Sequence, residues 1–204
     1  MTAVKICGIT NVDDALLAAE LGAFAIGMIF WPGSPRHVSA SSARAIVDAL
    51  PSNLEAVGVF VDQPVSEVVN IAADAGLHRV QLHGCENVGD YATADLPLVK
   101  AVALRDQDSA NDALALPSSV LVLLDAHDPV KRGGTGRTID WTLAARVAAA
   151  REIVLSGGLH ADNVRDAIDS VHPFAVDVSS GVEQSPGRKD PAKLRAFFAA
   201  VRAS

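Results

Sequence analysis

The chain is poor in the features that cross-link, tag or anchor a protein. It has two cysteines, Cys7 and Cys85, in 204 residues. Their spacing forms neither a disulfide framework nor a metal-ligand set, so a reducing compartment is expected, with no bound metal. No apolar run approaches the length of a membrane span, and the N-terminus lacks a signal-peptide pattern, so a cytoplasmic protein is expected. Basic residues are also in deficit, 17 against 24 acids for a net charge of -7, with no block of one sign. That balance argues against nucleic acid or an acidic membrane as the main partner, though a local pocket can still be positive. Aromatics make up only 4% of a chain that is half hydrophobic. Alanine is abundant instead, which suits helices packed closely on a sheet. The length supports one sizeable core, and no composition shift divides it, so residues 1–204 are expected to form one domain.

What is present is a repeat. Val4 to Cys7 is a short apolar run that Gly8 ends, and Asn11 then offers an N-cap for a helix starting at Val12. The same strand–turn–helix pattern recurs along the chain. Strand-like runs lie at Phe24–Phe30, Glu55–Val61, Arg79–His83, Leu98–Ala103, Val120–Leu124, Ile153–Leu155 and Phe174–Val178. Helical stretches follow each of them, including one around Asn87–Ala94 and one opened by Asp162. Apolar strands alternating with amphipathic helices mean a parallel sheet covered by helices. Eight such units predict a single α/β domain, a (β/α)8 barrel of parallel strands. An open doubly wound sheet would require two or three of these strands to be wrong.

In such a barrel every loop after a strand lies on one face, and the chemistry-bearing residues gather there. Lys5 and Cys7 share one face of the first strand, with Val4 and Ile6 on the other. A free cysteine is most often a small buried hydrophobe, but Cys7 stands at the strand end where barrels do chemistry. Asp125 ends the apolar run Val120–Leu124. Desolvation there favours the neutral carboxyl, which suits a general acid, and the residues after it do not start the helix it would otherwise cap. Ser156-Gly157-Gly158 and Ser179-Ser180-Gly181 fall in the loops after strands 7 and 8, where this fold usually holds phosphate. Glycine alone ends many strands, so it is the pairing of these two loops that points to a phosphorylated ligand.

Arg36 follows Pro32, Gly33 and Pro35 in a rigid-looking loop, placed for two-pronged contact with a ligand carboxylate. His83 shares a strand face with Gln81, and serves equally as a ligand contact or a satisfied core histidine. The stretch Lys131–Thr138 is basic and glycine-rich but lacks the ending of a nucleotide-binding loop, so a lid over an anionic substrate is expected. Ala175, Asp177 and Ser179 point inward on strand 8. Barrel closure makes strand 8 the neighbour of strand 1, which predicts a Lys5–Asp177 ion pair beneath the reacting group, holding positive charge near Cys7. A thiol and a carboxyl across one barrel mouth suit an aldose-to-ketose proton shift.

The motifs Lys5-Ile6-Cys7-Gly8-Ile9-Thr10, Ser34-Pro35-Arg36, Gln81-Leu82-His83-Gly84, Gly133-Gly134-Thr135-Gly136-Arg137, Leu155-Ser156-Gly157-Gly158-Leu159 and Asp177-Val178-Ser179-Ser180-Gly181-Val182-Glu183 occur in that order. Together they resemble the phosphoribosylanthranilate isomerase family over residues 4–198. The resemblance implies a cofactor-independent Amadori rearrangement of N-(5-phosphoribosyl)anthranilate in tryptophan biosynthesis. It implies Cys7 as general base, Asp125 as general acid and Arg36 as the contact to the anthranilate carboxylate. His83, Gly157, Gly158, Asp177, Ser179, Ser180 and Gly181 complete the expected substrate site. Arg137 stands where lysine is commoner, which keeps the charge. Histidine-pathway isomerases, with which a dual-substrate enzyme would overlap, characteristically use two aspartates, and Cys7 in place of one argues against them. A catalytically silent sugar-phosphate-binding barrel is the remaining alternative. The expected partner is a small phosphorylated molecule, and a monomer is expected over a dimer.

Overall fold

The computed structural model describes residues 1–92, 96–126 and 139–203. Eight parallel strands close into a barrel: β1 (Ala3–Cys7), β2 (Ala25–Ile29), β3 (Glu55–Phe60), β4 (Arg79–Leu82), β5 (Leu98–Leu104), β6 (Leu121–Ala126), β7 (Ile153–Leu155) and β8 (Ala175–Val178). Closure is made by β1, which pairs with β2 on one side and with β8 on the other. The helices are α1 (Val12–Glu20), α2 (Ala40–Asp48), α3 (Val65–Ala75), α4 (Gln107–Ala115), α5 (Trp141–Ala148), α6 (Val164–Val171) and α7 (Pro191–Arg202).

Local chemistry sets these boundaries. The Asn11 side chain accepts from the Asp14 amide at 2.9 Å and starts α1. Asp140 and Asp190 cap α5 and α7 through two amides each, and Pro191 occupies the first turn of α7, where a missing N–H costs nothing. Gly76, at φ 69°, ends α3.

Three expectations need correction. Between β4 and β5 there is no α-helix among the described residues, only a 3-10 turn at Val88–Tyr91. The run Asn87-Val88-Gly89-Asp90 holds too many turn formers to propagate a helix, and Asn87 spends its side chain on the Gly89 amide. α6 starts at Val164, after a turn through Asp162 and Asn163. Asp125 lies inside β6, paired with Ala103 of β5, and does not follow the strand. A two-stranded antiparallel ribbon not expected from the sequence, β9 (Glu183–Ser185) with β10 (Arg188–Lys189), sits between β8 and α7.

Period-2 alternation divides the apolar side chains into two cores. The larger lies between strands and helices and contains Val4, Ile6, Ile26, Met28, Leu82, Val122, Leu124, Val176 and Val178 with the inner faces of the helices. The smaller fills the barrel and is built from Val99, Ala101, Leu123, Val154 and Ala175. Strand residues above that plug, toward the C-terminal rim, are therefore free to be polar. No described helix is long and apolar enough to cross a membrane.

Candidate active site

At the C-terminal rim the strands open into a cavity of about 670 Å³. Cys7 of β1, Asp125 of β6 and Asp177 of β8 contribute to its wall, as do Arg36 and His83 from the loops after β2 and β4. Gly157 and Gly158 follow β7, while Ser179, Ser180 and Gly181 follow β8, and all five line the same space. The fold thus brings every expected site residue to one cavity. The expected lid, Lys131–Thr138 with Arg137, lies outside the described residues.

Below the cavity, Lys5 Nζ donates to Asp177 Oδ1 at 2.8 Å, with the two side chains only 3% and 6% exposed. This is the ion pair expected from barrel closure, and the strand register places Lys5 directly beside Asp177. Burial alone would lower the Lys5 pKa. The Asp177 carboxylate and the Cys7 thiol overcome burial and raise it. The Cys7 thiol is pushed up by burial first and by Asp177 next, while Lys5 and Lys189 pull it down. The net direction is upward, so Lys5 restrains the thiol pKa without bringing it below the ordinary range.

Cys7 and Lys5 have room because of Gly27, which pairs with Cys7 across β1 and β2. A Cβ on residue 27 would stand 2.9 Å from Cys7 Sγ and 3.0 Å from Lys5 Nζ. Across the mouth, His83 Nε2 lies 3.2 Å from Asp125 Oδ2, and His83 Nδ1 lies 3.1 Å from Gln81 Nε2. His83 therefore joins a ladder that orients Asp125, serving both the core and the pocket. Two buried polar atoms on the cavity wall, Gln81 Oε1 and Ser179 Oγ, have no partner among the described residues. Buried polar groups are normally paired, so these two suit a ligand rich in hydroxyls.

Arg36 is held more firmly than the sequence indicated. Its Nε and Nη2 donate to both oxygens of Glu183 at 2.8 and 2.7 Å. That clamp leaves the Nη1 end of the guanidinium for a ligand. The hydrogen bonds from Arg36, with the charge of Lys189, draw the Glu183 pKa down against the opposing effect of burial. Glu183 was visible in the sequence only as the end of a motif. Lys189 carried no signal at all, because a lysine in Gly187-Arg188-Lys189-Asp190 reads as a solvated turn. Among the described residues no cluster of His, Cys, Asp and Glu could hold a metal ion.

An eight-stranded barrel with a thiol and a carboxyl facing one cavity, and paired glycine-bearing loops after β7 and β8, has the build of a sugar-phosphate isomerase. Comparison with known proteins narrows the class. A family model for N-(5'phosphoribosyl)anthranilate (PRA) isomerase matches residues 4–200. N-(5'-phosphoribosyl)anthranilate isomerase of Pelobacter propionicus is 48% identical, covering 97% of this chain and 94% of its own. The crystal structure of phosphoribosyl anthranilate isomerase from Thermotoga maritima aligns with a TM-score of 0.93 at 40% identity, covering all of both chains. A further structure, of phosphoribosyl anthranilate isomerase in complex with reduced 1-(o-carboxyphenylamino)-1-deoxyribulose 5-phosphate, aligns at 0.89 with 39% identity, again over the whole of both chains. The chain belongs to the N-(5'-phosphoribosyl)anthranilate isomerase family, isomerases of tryptophan biosynthesis.

Proposed function

We propose that Asp125 is the general acid and Cys7 the general base of an Amadori rearrangement. The substrate is N-(5'-phosphoribosyl)anthranilate and the product 1-(2-carboxyphenylamino)-1-deoxyribulose 5-phosphate. The observation that carries this reading is the shared cavity: a thiol beside a buried ammonium and a carboxyl held by His83 line one space with an arginine and both glycine loops.

Asp125 gives its proton to the furanose ring oxygen, and the C1–O bond breaks as the anthranilate nitrogen becomes a protonated imine. The imine acidifies the C2 proton, which the Cys7 thiolate removes. The enolamine so formed tautomerises to the ketone. A raised thiol pKa makes the thiolate scarcer but more basic. Lys5, Lys189 and the positive imine of the bound intermediate all favour the thiolate at the moment it is needed. The Nη1 end of Arg36 takes the anthranilate carboxylate, and the loops at Gly157-Gly158 and Ser179-Ser180-Gly181 take the phosphate. Asp177, on the cavity wall, stands beneath the reacting sugar and holds Lys5 beside Cys7.

Among the described residues one chain supplies every expected site residue, which supports our proposal of a monomer working in the cytoplasm. Sedimentation at working concentration tests the first point: a dimer that loses activity on dilution would refute it. The chemistry is tested by following loss of phosphoribosylanthranilate fluorescence. Cys7→Ala and Asp125→Asn should each lower kcat by at least about 10²-fold, the scale of losing a general acid or base. Binding of a phosphorylated product analogue should change little. Near-normal kcat in either variant would remove that residue from its role.

A further inference from the structure

The mechanism above uses Lys189 only as a charge near the thiol, yet its side chain touches three parts of the site. Lys189 lies in β10 and its side chain is fully buried. Nζ donates to the Cys7 carbonyl at 2.6 Å, the Ser179 carbonyl at 3.2 Å and Glu183 Oε1 at 3.0 Å. An ammonium has three N–H groups, and here each has an acceptor. Those acceptors belong to the end of β1, the loop after β8 and the carboxylate that grips Arg36. The Lys189 backbone is tied as well, its amide donating to Asp14 of α1 at 2.9 Å.

Burying a lysine is costly, and a surface lysine would close a two-stranded ribbon equally well. Only a long side chain with a charged tip reaches the β1–β8 seam from β10 and satisfies two strand-end carbonyls together with a carboxylate.

We propose that Lys189 is a positioning residue for the isomerase reaction, the joint that fixes Cys7, the Ser179 loop and the Glu183–Arg36 clamp relative to one another while holding a positive charge behind the thiol. The part concerning the thiol rests on the reading of Cys7 as the base. The geometric part does not. The joint spans the two ends of the substrate: Arg36 waits for the carboxylate and the Ser179 loop for the phosphate, while Cys7 stands between them at C2. Shifting the ammonium would disturb all three contacts together, which no single one of these residues can do. The charged groups around the thiol are Lys5 on its own strand, Asp177 on β8, Lys189 on β10 and Arg36 from the loop after β2. Lys5 and Lys189 lower the thiol pKa and Asp177 raises it. Burial draws the pKa of Lys189 itself down, and Glu183 and Cys7 oppose that fall.

The test uses full-length enzyme carrying Cys85→Ser, since Cys85 is exposed and would otherwise react. Lys189→Met removes charge and hydrogen bonds, whereas Lys189→Gln keeps an amide able to donate to the two carbonyls. Three measurements are made: pH dependence of Cys7 alkylation by iodoacetamide, KM and kcat. In Lys189→Met the alkylation midpoint should rise by about one pH unit or more, KM by about tenfold and kcat should fall by about tenfold or more. Lys189→Gln should show the same rise in midpoint with a smaller change in KM. An unshifted midpoint with unchanged KM in a folded variant would overturn the proposal. So would failure of both variants to fold, which would make Lys189 a structural joint only. Alkylation reports the thiol without turnover, so the two readings part cleanly. A shifted midpoint with an active Cys7→Ala enzyme supports the joint and removes Cys7 as base. An unshifted midpoint and unchanged KM with a dead Cys7→Ala enzyme do the reverse.

Discussion

Removing Lys5 is the sharpest perturbation of the barrel floor. Its ammonium and the Asp177 carboxylate meet at 2.8 Å with almost no exposure, so Lys5→Met leaves an almost fully buried carboxylate without its partner. Breaking a buried pair by deleting one partner costs about 3–5 kcal/mol. In a domain of this size each kcal/mol moves the thermal midpoint by about 2–4 °C, so a fall of roughly 10 °C is expected at pH 7. The sign with pH follows from the raised Lys5 pKa. The pair's contribution is fully present below the unfolded lysine value of about 10.4 and is lost as pH rises through the higher folded value. Lys5→Met/Asp177→Asn should recover several degrees relative to Lys5→Met, because the orphaned charge is gone. Thermal unfolding of the wild type, Lys5→Met, Asp177→Asn and the double variant between pH 7 and 11 supplies the whole cycle. The Cys7 alkylation midpoint should rise in Lys5→Met, as a positive charge beside the thiol is lost. A midpoint within 2 °C of wild type at pH 7, or a double variant no better than Lys5→Met, would refute the argument.

The barrel was legible because its signal is periodic. Continuous apolar strands such as Val122–Leu124 and capped helices such as α1 and α7 repeat the same physical decision many times, and an error in one unit does not disturb the rest. The Lys5–Asp177 contact was legible for a related reason, since alternation fixes the face and closure fixes the neighbour. Where period and propensity disagree, the reading failed. Asn87–Asp90 forms one turn and no helix, because side-chain to backbone bonds compete with the helical ladder. Arg36 was recognisable as a cation in a stiff loop, but its partner Glu183 stands 147 positions away. Lys189 reaches Cys7 across 182. No local pattern encodes such pairs, and a lysine flanked by arginine and aspartate has the composition of solvent-facing chain. Gly27 did carry a readable signal, a glycine inside a buried strand, which marks a site of close approach.

The remaining predictions address the clamp, the phosphate loops, the acid limb and the thiol's space. Arg36→Lys should raise KM by about tenfold with a smaller change in kcat, because lysine keeps charge but loses the fork that engages Glu183 and ligand together; a change confined to kcat would place Arg36 at the chemistry instead. Gly181→Ala puts a Cβ 2.0 Å from the Leu159 carbonyl, so the two loops must part, and inorganic phosphate should inhibit the variant less than wild type in steady-state assays; equal inhibition would locate the phosphate elsewhere. Glu183 has a lowered folded pKa, so it stabilises above its unfolded value of about 4.3 and loses that contribution as pH falls through the folded one. Urea midpoints of Glu183→Gln from pH 3 to 6 should therefore fall less steeply on acidification than those of wild type, and parallel curves would refute the coupling. Gly27→Ala tests whether the thiol's position, and not merely its presence, matters. The added Cβ would lie 2.9 Å from Cys7 Sγ, 3.0 Å from Lys5 Nζ and 3.3 Å from the Cys7 Cα. Lys5 is pinned by Asp177 and the Cα by the sheet, so the thiol rotor is the part free to yield. Overpacking of this kind costs about 1–3 kcal/mol, which leaves the barrel folded and Arg36 and the phosphate loops in place. With Sγ turned away from C2, kcat should fall about tenfold or more while KM stays within about threefold. A Gly27→Ala enzyme with normal kcat would mean that proton removal does not depend on where Sγ points, and Cys7 would no longer be the base.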